Sequence, residues 1–175
     1  MDISKNFFEL FALPVSFQID PIKLSERYLD LQKTLHPDRH AHLSDRERRL
    51  SEQYTAYLNE AVTTLKAPLP RAQYLLKLHG FDTASESSVT IDPVFLMQQM
   101  ELREQLEEIP DQADPFEALD ELSEEVEAML ARLRIEFEER YIAQAYEPAV
   151  ALVRKMQFLE KLALEVENLE DRLDD

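Results

Sequence analysis

The sequence predicts an all-α fold, and three observations support that prediction. The 175 residues include a single glycine, Gly80, although the tight turns of β-hairpins depend on glycine. Leu, Glu, Ala, Arg and Gln are abundant, and all five are good helix formers. Apolar residues recur at steps of three and four along most of the chain, and this spacing places them on one face of a helix.

Four helices are expected in the first half of the chain. The first covers residues 6–13 and is ended by Pro14, because proline lacks a backbone donor. The second covers residues 21–35, with Asp20 as its N-cap and Pro21 at the first helical position. The apolar stripe of this second helix consists of Leu24, Tyr28, Leu31 and Leu35.

The third helix is expected to open with a capping box formed by Ser44 and Glu47 and to extend to about residue 66. A fourth helix covers residues 70–79 and ends at Gly80, which suits a left-handed C-cap. Since a turn joins the second and third helices, we expect them to form an antiparallel hairpin. The apolar stripe of the third helix consists of Leu50, Tyr54, Tyr57, Leu58, Ala61 and Leu65.

The second half predicts three longer helices. The first covers residues 92–108 and opens with an Asp-Pro pair, the next begins near Pro115, and the last begins near Glu147. Their apolar stripes favour an antiparallel three-helix bundle, and the last stripe has coiled-coil-like spacing. The stripes of the last two helices are Leu119, Leu122, Val126, Met129, Leu130, Leu133, Phe137 and Tyr141, then Leu152, Met156, Leu159, Leu162, Val166, Leu169 and Leu173.

A hydroxyl-rich stretch divides the chain. Residues 81–91 contain five serines and threonines and are the expected linker. Residues 1–80 would then form one domain and residues 92–175 the other.

Composition excludes several kinds of site. The chain contains no cysteine, which rules out disulfides, thiolate zinc sites and iron–sulfur clusters held by its own cysteines, and which fits a cytoplasmic protein. Residues 1–14 carry Asp2, Lys5 and Glu9, so they do not resemble a secretory signal. No apolar run approaches the roughly 20 residues that span a bilayer.

Charge is distributed unevenly between the halves. Residues 1–80 hold 11 Lys/Arg and 10 Asp/Glu, whereas residues 81–175 hold 8 and 26, within a total net charge of −17. The acidic half is expected to repel nucleic acid and anionic membranes and to attract a basic protein surface, although carboxylates of this kind commonly serve solubility alone.

The turn of the predicted hairpin carries a distinctive tripeptide, His36-Pro37-Asp38. Proline disfavours helical geometry in the residue before it, fixes its own φ, and leaves Asp38 free to accept bonds from turn amides. The result would be a stiff corner that presents an imidazole and a carboxylate for contact with another protein.

This tripeptide at a hairpin turn resembles the signature of J-domains, which are co-chaperones that stimulate DnaK-type ATPases. Further segments resemble the HscB family of J-domain proteins, and together they cover essentially the whole chain. They are Phe7-Phe8-Glu9-Leu10-Phe11-Ala12-Leu13-Pro14, Arg71-Ala72-Gln73-Tyr74-Leu75-Leu76 with His79-Gly80, Asp92-Pro93-Val94-Phe95-Leu96-Met97, Met100-Glu101-Leu102-Arg103-Glu104 and Arg154-Lys155-Met156-Gln157-Phe158-Leu159-Glu160-Lys161-Leu162.

The resemblance implies a function without catalysis and without a cofactor. Proteins of this family hold an iron–sulfur cluster scaffold protein on the C-terminal domain and present it to HscA, a DnaK-type ATPase, through the J-domain. Some eukaryotic relatives carry a cysteine-containing N-terminal extension. This sequence lacks one and in that respect resembles the bacterial type. The implied chaperone-binding residues are His36, Pro37, Asp38, Lys23, Arg27 and Arg39; the implied scaffold-binding residues are Leu96, Met97, Met100, Glu101, Glu104 and Phe158.

The basic face of the second helix is weaker than the family pattern. Lys23 and Arg27 lie one turn apart, but Asp30 and Thr34 continue their face, and Lys33 and Arg48 are interpreted as solvated charges. Arg39, Arg46 and Arg49 are candidates to add positive charge to this basic face. Without the family resemblance, residues 36–38 could equally be an ordinary loop whose side chains cap the adjoining helices.

The helix at residues 92–108 carries two apolar stripes. Phe95, Leu102, Leu106 and Ile109 form a core face, while Leu96, Met97 and Met100 lie opposite, beside carboxylates. The second stripe indicates either an adaptable docking surface or a helix buried on both sides. Phe158 could extend it. The position before Phe158 is often basic in the family but is Gln157 here, which weakens the case for a salt bridge there.

Two other functions are compatible with the sequence. The C-terminal bundle could be a general client binder or a dimerisation module behind the same J-domain. The loop histidines His36, His40 and His42, with Asp38, could instead suggest a metal-dependent hydrolase, although a full ligand set and a general base are not evident.

Overall fold

The computed structural model describes residues 5–35, 44–83 and 92–174. These ranges contain seven α-helices and one short 3₁₀ turn, and no strand. The predicted all-α fold is confirmed. The helices are α1 (Phe7–Leu10), α2 (Pro21–Leu35), α3 (Asp45–Lys66), α4 (Pro68–Leu78), α5 (Pro93–Glu108), α6 (Pro115–Ile142) and α7 (Tyr146–Asp174), with the 3₁₀ turn (Ile109–Asp111) between α5 and α6.

The first compact unit extends to Leu78 and contains the predicted hairpin of α2 and α3. Asp20 caps α2 because its carboxylate accepts bonds from the backbone amides of Ile22 and Lys23, at 3.0 and 3.2 Å. Across the hairpin, the hydroxyl of Tyr28 donates to Asn59 at 3.0 Å. These local contacts confirm the predicted start of α2 and its pairing with α3.

Aromatic side chains from α1 complete the core of this unit. The ring of Phe7 stacks on Tyr74 at 4.3 Å and meets Tyr57 edge-on at 5.3 Å. The Tyr74 hydroxyl also accepts the backbone amide of Phe7 at 3.0 Å. The buried apolar residues are Phe7, Phe8, Phe11, Leu13, Phe17, Leu24, Leu58, Ala61, Leu65, Ala72, Leu75 and Leu76.

Two sequence expectations in this unit were wrong in detail. The first helix ends at Leu10 rather than near Leu13, because Ala12 adopts a left-handed φ of 52° and the amide of Leu13 bonds back to Phe8. Leu50 is 43% exposed rather than part of the buried stripe. The ring contact of Phe7 and the hydrogen bond of Lys5 with α3 both involve Tyr57, about two turns after Leu50.

The fourth helix begins two residues earlier than expected and ends at Leu78, one residue before the predicted end, while Gly80 has the predicted left-handed conformation. Pro68 and Pro70 both lie in the first turn of α4, where a missing backbone donor costs nothing. Gly80 has a φ of +86°, and a Cβ at this position would meet no atom within 4 Å. Glycine is therefore required here by backbone conformation rather than by a close neighbour.

Removing the N-cap of α3 provides a local test of this part of the fold. The hydroxyl of Ser44 accepts the amide of Glu47, and the carboxylate of Glu47 accepts the amide of Ser44 at 2.9 Å. We expect Ser44→Ala to lower the free energy of unfolding by about 1 kcal/mol in urea titrations followed by circular dichroism. Ser25→Ala is the matched control, because Ser25 lies inside α2 and its hydroxyl only donates back to Pro21. An equal loss in both variants would contradict the capping role.

The second compact unit begins at His79 and contains the antiparallel bundle of α5, α6 and α7. Asp92 and Asp114 cap α5 and α6, each by accepting a backbone amide of the first turn. The predicted stripes of α6 and α7 form the core, while Met129, Leu133, Tyr141 and Leu173 are half-buried. The buried apolar residues of this unit are Phe95, Leu102, Ile109, Leu119, Leu122, Val126, Leu130, Phe137, Ala149, Leu152, Val153, Met156, Leu159, Leu162, Val166 and Leu169.

The division between the two units falls between Leu78 and His79. The assignment of residues 1–80, 81–91 and 92–175 to a J-domain, a linker and a partner-binding bundle remains a prediction. Within the described ranges, no helix combines the length and the apolar character that crossing a membrane requires.

Candidate functional site

Helix α5 presents two different apolar faces. Phe95 and Leu102 are buried against the bundle, as predicted, and Leu106 is half-buried. The opposite side carries Leu96, Met97 and Met100, which are 46%, 64% and 59% exposed. With the exposed carboxylates of Glu101 and Glu104, these three residues form what we call the α5 outer face.

The outer face is not needed to fold the bundle, because the core is already closed by the other side of α5. A surface helix requires one apolar stripe, and a second exposed stripe is typical of a binding surface. Methionine adapts its shape to a partner, and the adjacent carboxylates would attract cationic side chains. Of the two interpretations left open by the sequence, the structure therefore favours an exposed surface over a helix buried on both sides.

Phe158 lies on α7 beside α5 and is half-buried rather than fully exposed. Its ring meets buried Phe95 edge-on, with centroids 6.0 Å apart. The guanidinium of Arg103 lies 5.3 Å from the centre of the Phe158 ring. Arg103 is in turn held by both carboxylate oxygens of Glu165, at 3.2 and 3.4 Å. Phe158 therefore sits in a fixed setting that the sequence did not indicate.

We expect Arg103→Ala to lower the free energy of unfolding by about 1 kcal/mol, since a half-exposed ion pair and a cation–π contact are lost together. Glu165→Gln should cost less, because it removes the ion pair but leaves the guanidinium over Phe158. Urea titration of both variants measures the difference. Equal losses would show that the ring contact contributes nothing.

Gln157 and Arg154 of α7 bind the backbone of Thr83. The amide of Gln157 donates to the carbonyl of Thr83 at 3.1 Å, and Arg154 donates to the same carbonyl at 2.8 Å. Thr83 is buried. The amide of Gln157 is therefore engaged within the bundle, a role that the sequence alone could not reveal because the two residues lie 74 positions apart.

An aromatic cluster fixes the start of the same segment. The ring of His79 stacks on Tyr146 at 4.3 Å, and its Nε2 lies 3.1 Å from the hydroxyl of Tyr141. Burial raises the pKa of Tyr141, and neighbouring Tyr146 raises it further, so this hydroxyl stays protonated and can donate to the imidazole. Phe81 also lies against Tyr146. Residues 79–83 are thus packed within the second unit.

The basic residues predicted on α2 are exposed. Lys23 and Arg27 both face solvent, as an electrostatic contact surface requires. Lys33 lies 3.9 Å from Asp30, and Arg48 lies 3.9 Å from Asp45, with all four side chains largely exposed. Pairs of this kind contribute little, which agrees with the interpretation of Lys33 and Arg48 as solvated charges.

The tripeptide His36-Pro37-Asp38 lies outside the described residues, together with Arg39, His40 and His42. The predicted roles of these residues therefore remain predictions from the sequence. Among residues 5–35, 44–83 and 92–174, no group of three or more histidines and carboxylates is arranged to hold a metal ion.

Comparison with known proteins gives consistent results along the chain. A family model described as the HSCB C-terminal oligomerisation domain matches residues 91–167. The co-chaperone protein HscB homologues of Aliivibrio salmonicida and Shewanella loihica are each 46% identical to the chain, covering 96% of it and 98% and 99% of their own lengths.

Solved structures give the same result. The chaperone HscB from Vibrio cholerae matches with a TM-score of 0.87 and 41% identity, covering 97% of this chain and 99% of that one. Human co-chaperone protein HscB matches with a TM-score of 0.88 and 29% identity, covering 97% of this chain and 84% of that one.

Proposed function

The chain belongs to the HscB family of co-chaperones, and from this premise we propose that it delivers an iron–sulfur cluster scaffold protein to the DnaK-type chaperone HscA. Delivery would be coupled to stimulation of ATP hydrolysis by HscA. The protein would itself be no enzyme and would act in the cytoplasm, where a chain without cysteine is at no disadvantage. Family membership implies the role in iron–sulfur cluster assembly; the two partners and their binding residues are our proposal.

The α5 outer face is the observation that supports scaffold capture. Leu96, Met97 and Met100 offer apolar area that the folded bundle leaves in water, and burying such area favours association. Glu101 and Glu104 border this area and would meet cationic side chains of the scaffold. Phe158 would add an aromatic anchor at the edge, held in place by Phe95 and Arg103.

The chaperone-binding residues are proposed from the sequence and from the exposure of α2. Asp38 would accept a bidentate hydrogen bond from an arginine of HscA, with Pro37 fixing the corner and His36 adding contact. Exposed Lys23 and Arg27, together with Arg39, would steer an acidic surface of HscA toward this corner.

The two proposed binding surfaces give the protein its proposed mechanism. The outer face binds the scaffold, the corner engages HscA, and one chain that does both raises the local concentration of scaffold at the chaperone. The protein contributes binding and positioning, while the ATPase supplies the chemistry.

Steady-state ATP hydrolysis by purified HscA tests this function. We expect this protein to raise the rate, and the protein and the scaffold together to raise it further. Retention of the scaffold on the immobilised protein should fall when residues of the outer face are replaced. A general client binder would instead retain unrelated unfolded proteins equally well. No stimulation of HscA by the folded protein would contradict the proposal.

A further inference from the structure

We infer that Met97 and Met100 form a reversible oxidation site in the free protein, and that their oxidation blocks capture of the scaffold protein on the α5 outer face. The inference rests on the proposed docking function and adds a mode of regulation to it. The modifying agent would be hydrogen peroxide or another two-electron oxygen donor. The modified state would be methionine sulfoxide, which methionine sulfoxide reductases convert back.

The methionines differ sharply in their access to solvent. Met97 and Met100 are 64% and 59% exposed, whereas Met156 is 1% exposed and Met129 is half-buried. The fifth, Met1, lies outside the described residues. Among the described methionines, the two that a dissolved oxidant can reach most easily are therefore both on the proposed docking surface.

No thiol competes with these two side chains for the oxidant. The sequence contains no cysteine, so no thiolate is present to consume the oxidant first. In the reaction, the thioether sulfur attacks one peroxide oxygen, an S–O bond forms and the O–O bond breaks. The proton of the transferred oxygen moves to the second oxygen, which leaves as water. The sulfur loses two electrons, and the peroxide gains them.

Oxidation would weaken docking by changing the polarity of the surface rather than by unfolding the helix. Both side chains point away from the core, so a polar sulfoxide there costs the bundle little. In a complex, each sulfoxide would have to lose its water inside an apolar contact, and this desolvation is unfavourable. Leu96, the third apolar residue of the outer face, cannot be oxidised, but it would no longer be part of a continuous apolar surface.

The experiment treats this protein alone with hydrogen peroxide, removes the oxidant, and then measures binding to untreated scaffold protein. Peptide mass spectrometry identifies which methionines gained oxygen, and circular dichroism confirms that helicity is kept. We expect Met97 and Met100 to be oxidised at least about tenfold faster than Met156, and capture to weaken about tenfold. Treatment with methionine sulfoxide reductase and dithiothreitol should restore capture.

Two variants isolate the site. For each, the readout is the ratio of its own affinity before and after peroxide, so a change in starting affinity does not matter. In the double variant Met97→Leu plus Met100→Leu, the ratio should stay near one, since leucine has no thioether. Met129→Leu, outside the outer face, should keep the full peroxide effect.

The outcomes distinguish failure of the proposed oxidation site from failure of the proposed docking function. Failure of the untreated protein to bind the scaffold would overturn both. Normal binding that survives complete oxidation of Met97 and Met100 would overturn the inference alone. Equally fast oxidation of Met156, or an equal loss in the double leucine variant, would also overturn it.

Discussion

Replacing Met97 and Phe158 with alanine together is expected to weaken capture of the scaffold protein by about 100-fold, or about 2.7 kcal/mol. Met97 contributes the most exposed side chain of the apolar centre of the α5 outer face, and Phe158 contributes an aromatic ring that Phe95 and Arg103 already hold in place. Anchors of this kind carry most of the energy of an interface. Isothermal titration of the scaffold into each variant measures the loss.

Exposed apolar residues elsewhere on the bundle provide the matched control. Leu164 on α7 and Ile135 on α6 are 56% and 62% exposed and lie outside the outer face. The double variant Leu164→Ala plus Ile135→Ala removes comparable apolar area and should bind the scaffold as the parent does. Equal weakening in both double variants would mean that capture depends on general surface hydrophobicity. Urea titration should show that Phe158→Ala leaves the bundle folded.

Replacing Asp38 with asparagine is expected to reduce stimulation of HscA by at least about tenfold, which corresponds to about 1.4 kcal/mol of transition-state stabilisation. Asparagine keeps the size of the side chain but loses the charge, so it cannot form the charge-assisted bidentate pair with arginine. Steady-state ATP hydrolysis by HscA at saturating concentrations of each variant measures the effect.

Asp38→Asn should retain its helicity and its affinity for the scaffold, because Asp38 is proposed to contact HscA and not the scaffold. Asp30→Asn is the matched control, since Asp30 is an exposed carboxylate of α2 that makes only a weak pair with Lys33. Simultaneous loss of scaffold binding and stimulation in Asp38→Asn would show that Asp38 holds the fold together.

Most of the fold could be predicted from local sequence signals. Asp20, Ser44 and Asp92 each cap the helix that the sequence assigned to them, because an N-cap acts through amides two or three positions away. The stripes of α6 and α7 identified the core of the bundle for the same reason: helical periodicity depends on near neighbours in the chain.

Features that depend on distant residues could not be predicted in this way. Leu50 fits the helical stripe of α3 but is 43% exposed, and periodicity does not show which turns of a helix its neighbours cover. The carbonyl of Thr83 is held by Arg154 and Gln157, more than 70 positions away. The setting of Phe158 under Arg103 likewise depends on how α5 packs against α7.

The candidate site was partly visible in the sequence. The two apolar stripes on α5 were compatible with either a helix buried on both sides or a docking surface. The exposure of Leu96, Met97 and Met100 favours the docking surface. Sequence periodicity gives the side of a helix on which a residue lies, but not whether another helix covers that side.

The central claim is that one chain must carry both surfaces, and ATP hydrolysis by HscA in the presence of limiting scaffold tests it most directly. The rate is compared for the parent protein, for Asp38→Asn, for Met97→Ala plus Phe158→Ala, and for an equal mixture of the two variants. Because delivery requires a scaffold-bound chain to engage HscA, we predict that the mixture shows no more scaffold-dependent stimulation than the better single variant. Recovery of the parental rate by the mixture would show that the two surfaces work without being joined, and would contradict the account.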